Sequence, residues 1–92
     1  MTSTAVLDRA WGVNPQVSIR PERFGALLYH FGTRRLSFLK DRRLLDVLEN
    51  LPTSSSAREA CERAAVDAAS MPAYEAALAR LVDTDMLEER DP

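Results

Sequence analysis

The sequence predicts an α+β domain, a three-stranded antiparallel sheet followed by three helices. Three observations carry this reading. Residues 16–39 hold three short apolar runs of strand length, the last two joined by Gly32-Thr33. From Leu44 onward, apolar residues recur at intervals of three and four, the helical period. Asp41, Ser56 and Pro72 stand where helix starts need them.

The elements follow in order. Residues 1–10 are polar and aperiodic and are expected to be a flexible N-terminus, ahead of one domain over residues 11–90 that Trp11 begins as the first large apolar anchor. "QVSIR" (16–20) alternates, with Val17 and Ile19 on one face, so it reads as a strand that Pro21, lacking a backbone donor, is expected to end. "RFGALLYHFGTRRLSFLKD" (23–41) then reads as a hairpin. Gly32-Thr33 suits a two-residue type II′ turn, since glycine accepts positive φ at the first central position. That turn sets Phe31 opposite Arg34, Tyr29 opposite Leu36 and Leu27 opposite Phe38. Opposed residues share a face, so this almost wholly apolar side is expected to pack on the core. The other side, pairing His30 with Arg35, Leu28 with Ser37 and Ala26 with Leu39, is mixed and expected to be only partly buried.

Asp41 is placed to cap a helix carrying Leu44, Leu45, Leu48 and Leu51, which ends before Pro52. Ser56 with Glu59 three residues on forms a capping box for a second helix, with a small-residue stripe of Ala60, Cys61, Ala64, Ala65 and Ala68. A third helix starts near Pro72 and spaces Tyr74, Ala77, Leu78, Leu81 and Val82 at 3.6 residues. "DML" (85–87) is expected to be a last packed turn before an acidic tail.

Composition narrows the function. Ninety-two residues, 46% apolar and 28% charged, make one ordinary globular domain. A net charge of -2 argues against a general binder of nucleic acid or anionic membrane. No apolar run approaches the ~20 residues that cross a bilayer, and the N-terminus lacks the form of a signal peptide. The expectation is a cytoplasmic protein. Its one cysteine, Cys61, reads as a small core residue, and its one histidine, His30, as a surface-strand residue beside Arg35. With no HxxxH, CxxC or glycine-rich phosphate loop, no catalytic or metal site is expected, and an enzyme is disfavoured.

Three helices after a hairpin also suggest a winged helix-turn-helix that binds nucleic acid. From Pro72 to Arg90, however, five acidic residues face two basic ones, a helix that repels phosphate. The basic residues lie elsewhere: Arg34, Arg35, Lys40, Arg42 and Arg43 fall within ten residues, opposed only by Asp41. Consecutive antiparallel strands usually neighbour one another, which leaves residues 34–39 on a sheet edge. An open edge templates another strand. With positive charge beside it and the third helix folding back along it, the edge suits an extended, acidic peptide. The same edge also allows a homodimerisation module, in which two copies pair.

"RPERFGALLYHFGTRRLSFLKD" closely resembles the peptide chaperone family of mycofactocin biosynthesis, itself related to the peptide chaperones of pyrroloquinoline quinone biosynthesis. The likeness is dense from Trp11 to about Leu51, in "RPExFGALxYHFG" and "RRLSFLK", and looser in "YEAALARLVDTDML". Arg20, Glu22, Gly25, Tyr29, His30, Gly32, Arg35 and the "LSFLK" block all stand in place. The resemblance implies a winged-helix-like fold, the recognition element of ribosomally made, modified peptides. It implies a non-catalytic protein, without cofactor or metal, that binds the leader of a precursor peptide as an added strand. The leader would lie between the third strand, Arg34, Arg35, Leu36, Ser37, Phe38 and Leu39, and a third helix offering Tyr74, Ala77, Leu78 and Leu81. The partners implied are that precursor and a radical S-adenosylmethionine maturase, which oxidatively decarboxylates and cross-links the precursor's C-terminal Val-Tyr. No nucleic acid or membrane is implied. The electrostatic role of the arginines rests on their charge alone.

Overall fold

The three strands of the hairpin region form one antiparallel sheet in chain order, β2 (Val17–Glu22), β3 (Gly25–His30) and β4 (Leu36–Leu39), in a computed structural model that describes residues 4–90. Residues 1–3 of the N-terminus and the last two of the acidic tail lie outside the described part. The predicted register holds: Tyr29 pairs Leu36, Leu27 pairs Phe38, Leu28 pairs Ser37 and Ala26 pairs Leu39. Pro21 does not end β2, which continues to Glu22. Pro21 pairs with Ala26 on the far edge of the sheet, where its missing donor costs no ladder bond.

The assignment of faces is corrected. Ala26, Leu28, His30 and Leu39, from the side expected to be mixed, point into the core, while Leu36 and Phe38 are 55% and 61% exposed. The reason is α2 (Arg42–Asn50), which packs its Leu44, Leu45, Val47 and Leu48 on the small and aliphatic side and leaves the aromatic side open. The turn is corrected too. Arg34, at φ 64, takes the left-handed conformation, and the positive-φ glycine of the structure is Gly25, not Gly32. His30 accepts from Arg34 N–H at 2.7 Å and donates to the Arg35 carbonyl at 2.9 Å, closing a loop of four residues. Gly32 is needed for space: a Cβ there would lie 2.3 Å from Gln16 Oε1 and 2.9 Å from His30 Cε1. His30 itself is buried, 5% exposed, and not a surface residue beside Arg35. Its Nδ1 accepts the N–H groups of Gly32 and Thr33, each at 3.0 Å, so the ring organises the loop from inside.

Asp41 caps α2 as predicted, accepting Arg43 N–H at 2.8 Å. A 3₁₀ turn (Leu51–Thr53) leads to α3 (Ala57–Arg63), capped by Ser56 Oγ from Glu59 N–H. The Glu59 carboxylate reaches back to Ser55 rather than Ser56, and that bond holds its pKa below the ordinary carboxylate range. The alanine stripe does not stay helical to Ala68. Ala65 turns left-handed at φ 65 and Val66 N–H bonds the Cys61 carbonyl at 3.0 Å, which ends α3. The third long helix, α4, runs Met71–Asp83 and stops in the same way: Asp85 has φ 63 and Met86 N–H bonds the Leu81 carbonyl at 2.8 Å.

A second sheet supplements the prediction. Instead of only a packed turn, "DML" leads into β5 (Leu87–Glu89), which pairs antiparallel with β1 (Trp11–Val13). Ahead of β1, α1 (Thr4–Leu7) packs on α3 and α4, with Val6 and Leu7 buried and the Val6 carbonyl accepting the Trp11 indole at 2.8 Å. The core joins this layer to α2, α3 and the inner sheet face through Leu28, Val47, Leu48, Leu51, Cys61, Leu78 and Met86. Cys61 is free and buried, and desolvation lifts its thiol pKa to about 11.

Candidate functional site

β4 is hydrogen-bonded to β3 on one side and lies at the sheet edge on the other. The Arg35 carbonyl is held by His30, so the antiparallel alternation turns the backbone groups of Ser37 and Leu39 inward to β3. The N–H and C=O of Leu36 and Phe38 therefore point out of the sheet. Along this edge lies a groove of about 430 Å³. One wall is Ser37, Phe38 and Leu39, continued by Lys40. Leu44 of α2 also lines it, and Ala77, Arg80 and Leu81 of α4, with Thr84 at the end of that helix, form the opposite wall. Free main-chain donors and acceptors on one side, apolar side chains opposite and two cations at the rim suit an extended segment that carries acidic groups.

The groove is set by local sequence. Gly25 lets β3 start directly under the end of β4: at φ 151, a Cβ there would lie 2.0 Å from the Leu39 carbonyl oxygen and 2.9 Å from Asp41 N. The chain then leaves β4 and enters α2 at Asp41, whose second oxygen accepts the Tyr74 hydroxyl of α4. Desolvation, then that hydrogen bond, push the Tyr74 pKa up to about 12. This bond ties the helical wall to the strand wall at the Lys40 end.

Of the residues singled out in the sequence, Ser37, Phe38, Leu39, Ala77 and Leu81 meet in the groove. Leu36 precedes it, with its side chain on the open face. Tyr74 stands at its end through Asp41. Leu78 is fully buried in the core behind the wall, and Arg34 and Arg35 lie exposed in the hairpin loop beyond the lining. Lys40, Leu44, Arg80 and Thr84 line the groove without having been singled out for it. The signal for the last two was present in the helical spacing, since Ala77, Arg80 and Leu81 share one face of α4 and Thr84, its C-cap, continues that spacing. Among the described residues, no group of three His, Cys, Asp or Glu is placed to hold a metal ion, and no helix is long and apolar enough to cross a membrane.

These features define a small α+β module whose sheet is left open along β4 beside a helix. Residues 10–88 match the model of the peptide chaperone MftB family, and the chain belongs to that family. It is 51% identical over 83 residues to the peptide chaperone MftB of Mycobacterium tuberculosis (strain ATCC 25618 / H37Rv), covering 90% of this chain and 76% of the relative. The corresponding protein of Mycolicibacterium smegmatis (strain ATCC 700084 / mc(2)155) is 46% identical over 85 residues, covering 92% and 83%. No solved structure matches.

Proposed function

We propose that this chain is a non-catalytic, cytoplasmic chaperone that takes up the leader of a ribosomally made precursor peptide as a fourth strand on β4 and presents it to the radical S-adenosylmethionine maturase of mycofactocin biosynthesis. The observation that carries the proposal is the outward-facing backbone of Leu36 and Phe38 beside the groove of β4 and α4. Its relatives' name, peptide chaperone, agrees with it. Ordering an extended peptide costs about 1–2 kcal/mol per residue. Main-chain bonds to β4 and contacts with Leu44, Ala77 and Leu81 offset that cost and leave an affinity near micromolar, about -8 kcal/mol.

Titrating the ¹⁵N-labelled chain with the synthetic precursor tests this. Amide shifts are expected to move along 36–40 and 77–84, with slowed exchange of the Leu36 and Phe38 amides. Shifts confined to the β1–β5 sheet or to α3 would contradict it.

A further inference from the structure

Apart from Phe38, which borders both, the groove leaves the broad outer face of the sheet unused. Leu27, Tyr29 and Phe31 share that face with Leu36 and Phe38, and Phe24 joins it from the β2–β3 turn. Phe24 lies 6.3 Å from Phe38 and Tyr29 meets Phe31 edge-on at 5.1 Å between ring centroids, so the surface is one connected platform. Phe31 and Phe24 are 60% and 47% exposed. With Leu36 and Phe38 also more than half exposed, four such side chains present roughly 400 Å² of apolar surface, the size of the largest patch on a typical monomer, which is often a functional one. α2 packs on the opposite side of the sheet.

Charge says what would cover it. Residues 17–43 hold seven basic residues and two acidic ones, whereas the rest of the chain holds five basic and twelve acidic. Both acids of the sheet half are engaged: Glu22 lies 3.3 Å from Arg20, and Asp41 holds Arg43 N–H and the Tyr74 hydroxyl. Arg20 stands on the aromatic face opposite Leu27, and Arg23 and Arg34 lie in the turn and loop at its two ends. With Glu22 set against Arg20, Arg23 and Arg34 leave the rim of this face net positive, so two copies of it repel each other. Arginine, with its planar fork, selects carboxylates. Aromatic side chains with arginine are also the composition of protein contact centres.

We infer that the open sheet face is a second docking surface, adjoining the groove at Phe38 but otherwise distinct from it, for a protein whose contact patch is apolar and edged by carboxylates. On the reading above, from which this takes its partner, that protein is the maturase. A patch this small gives a transient contact, at the low end of interface sizes.

The test measures two affinities on the same variants. Phe31→Ser, Phe24→Ser and Arg20→Glu are exposed and outside the groove. Each is expected to weaken binding of the purified radical S-adenosylmethionine maturase by roughly tenfold or more, while precursor affinity stays within about twofold. Unchanged maturase binding overturns the inference and leaves the groove reading standing, as does a wild-type chain that binds precursor but no maturase. Equal loss of precursor affinity assigns the platform to the peptide site and also overturns it. Sedimentation alone and with phosphatidylglycerol vesicles completes the test: dimerisation or vesicle binding that these substitutions abolish gives the face to a second copy or to a membrane.

Discussion

Tyr74 of α4 donates its hydroxyl hydrogen to Asp41, the same carboxylate whose other oxygen caps α2 at Arg43 N–H, 2.8 Å away. One side chain therefore fixes two elements at the point where β4 ends. Tyr74→Phe is expected to cost about 1 kcal/mol, the net worth of a hydrogen bond, and to loosen α4 against β4. The pH dependence has a definite sign. The phenol pKa is raised in the folded state to about 12 from 10.0, so the neutral form is favoured by folding. The stabilisation is fully present below pH 10 and is lost as pH rises through 12. Denaturant melts of both proteins from pH 8 to pH 12 check this, and the gap between them should close at the alkaline end.

Prolines separate the two sides of β4. Phe38 N–H points out of the sheet, so Phe38→Pro should leave the sheet paired and lower precursor affinity by at least about tenfold, the worth of a charge-free hydrogen bond or two. Ser37 N–H points to β3, and Ser37→Pro should instead melt the domain by circular dichroism. A folded Phe38→Pro chain with unchanged affinity would remove strand addition from the mechanism.

The fold was legible where chemistry is local. Asp41 and Ser56 mark helix starts by hydrogen bonds made within three residues, and Pro72 by a fixed φ that suits a first turn. The hairpin register held although the turn that set it did not, because a four-residue loop closed at His30 and Arg35 keeps the same cross-strand pairs as a two-residue turn at Gly32-Thr33. The face of the hairpin was not legible, because both sides of β3 and β4 are apolar enough to be buried. The choice fell to the leucines of α2, which pack better on Ala26, Leu28 and Leu39 than on a row of aromatics. The β1–β5 pair joins chain ends some 75 residues apart in strands of three residues, too short to show alternation. In the groove, the strand wall and Ala77 were legible from the edge argument and the resemblance. Arg80 was counted only in a charge total, when its place one turn from Ala77 is what brings it to the rim.

That placement makes the electrostatics testable. Lys40 and Arg80 line the groove, whereas Arg34 and Arg35 lie in the loop beyond it. Reversing either groove cation, as Lys40→Glu or Arg80→Glu, turns an attraction for an acidic leader into a repulsion. About 1–2 kcal/mol is expected, roughly five- to thirtyfold in affinity. Arg34→Glu should cost less and act mainly through the long-range field, so its effect should vanish first as salt is raised. Fluorescence anisotropy of a labelled precursor at low and high salt ranks the three. A larger loss from Arg34→Glu at high salt would place the acidic end of the leader at the loop.

The helix ends offer a test of stability apart from binding. Ala65 and Asp85 occupy the same position in two equivalent caps, each left-handed and each followed by a buried residue, Val66 or Met86, whose N–H closes the turn. A Cβ in this conformation crowds the following carbonyl oxygen at about 1–2 kcal/mol, a strain glycine does not have. Glycine also gives the unfolded chain more freedom to lose, about 0.5–1 kcal/mol, so the gain from Ala65→Gly should be about 0.5–1 kcal/mol. For a domain of this size, that raises the melting temperature by roughly 2–8 °C. Asp85→Gly should gain less, because aspartate tolerates the left-handed region through its own local hydrogen bonds. Calorimetry of both variants should therefore rank Ala65→Gly above Asp85→Gly, with precursor affinity unchanged in the first. The reverse order would mean that the alanine is held left-handed without strain, with the closing bond from Val66 to Cys61 outweighing the crowding of its Cβ.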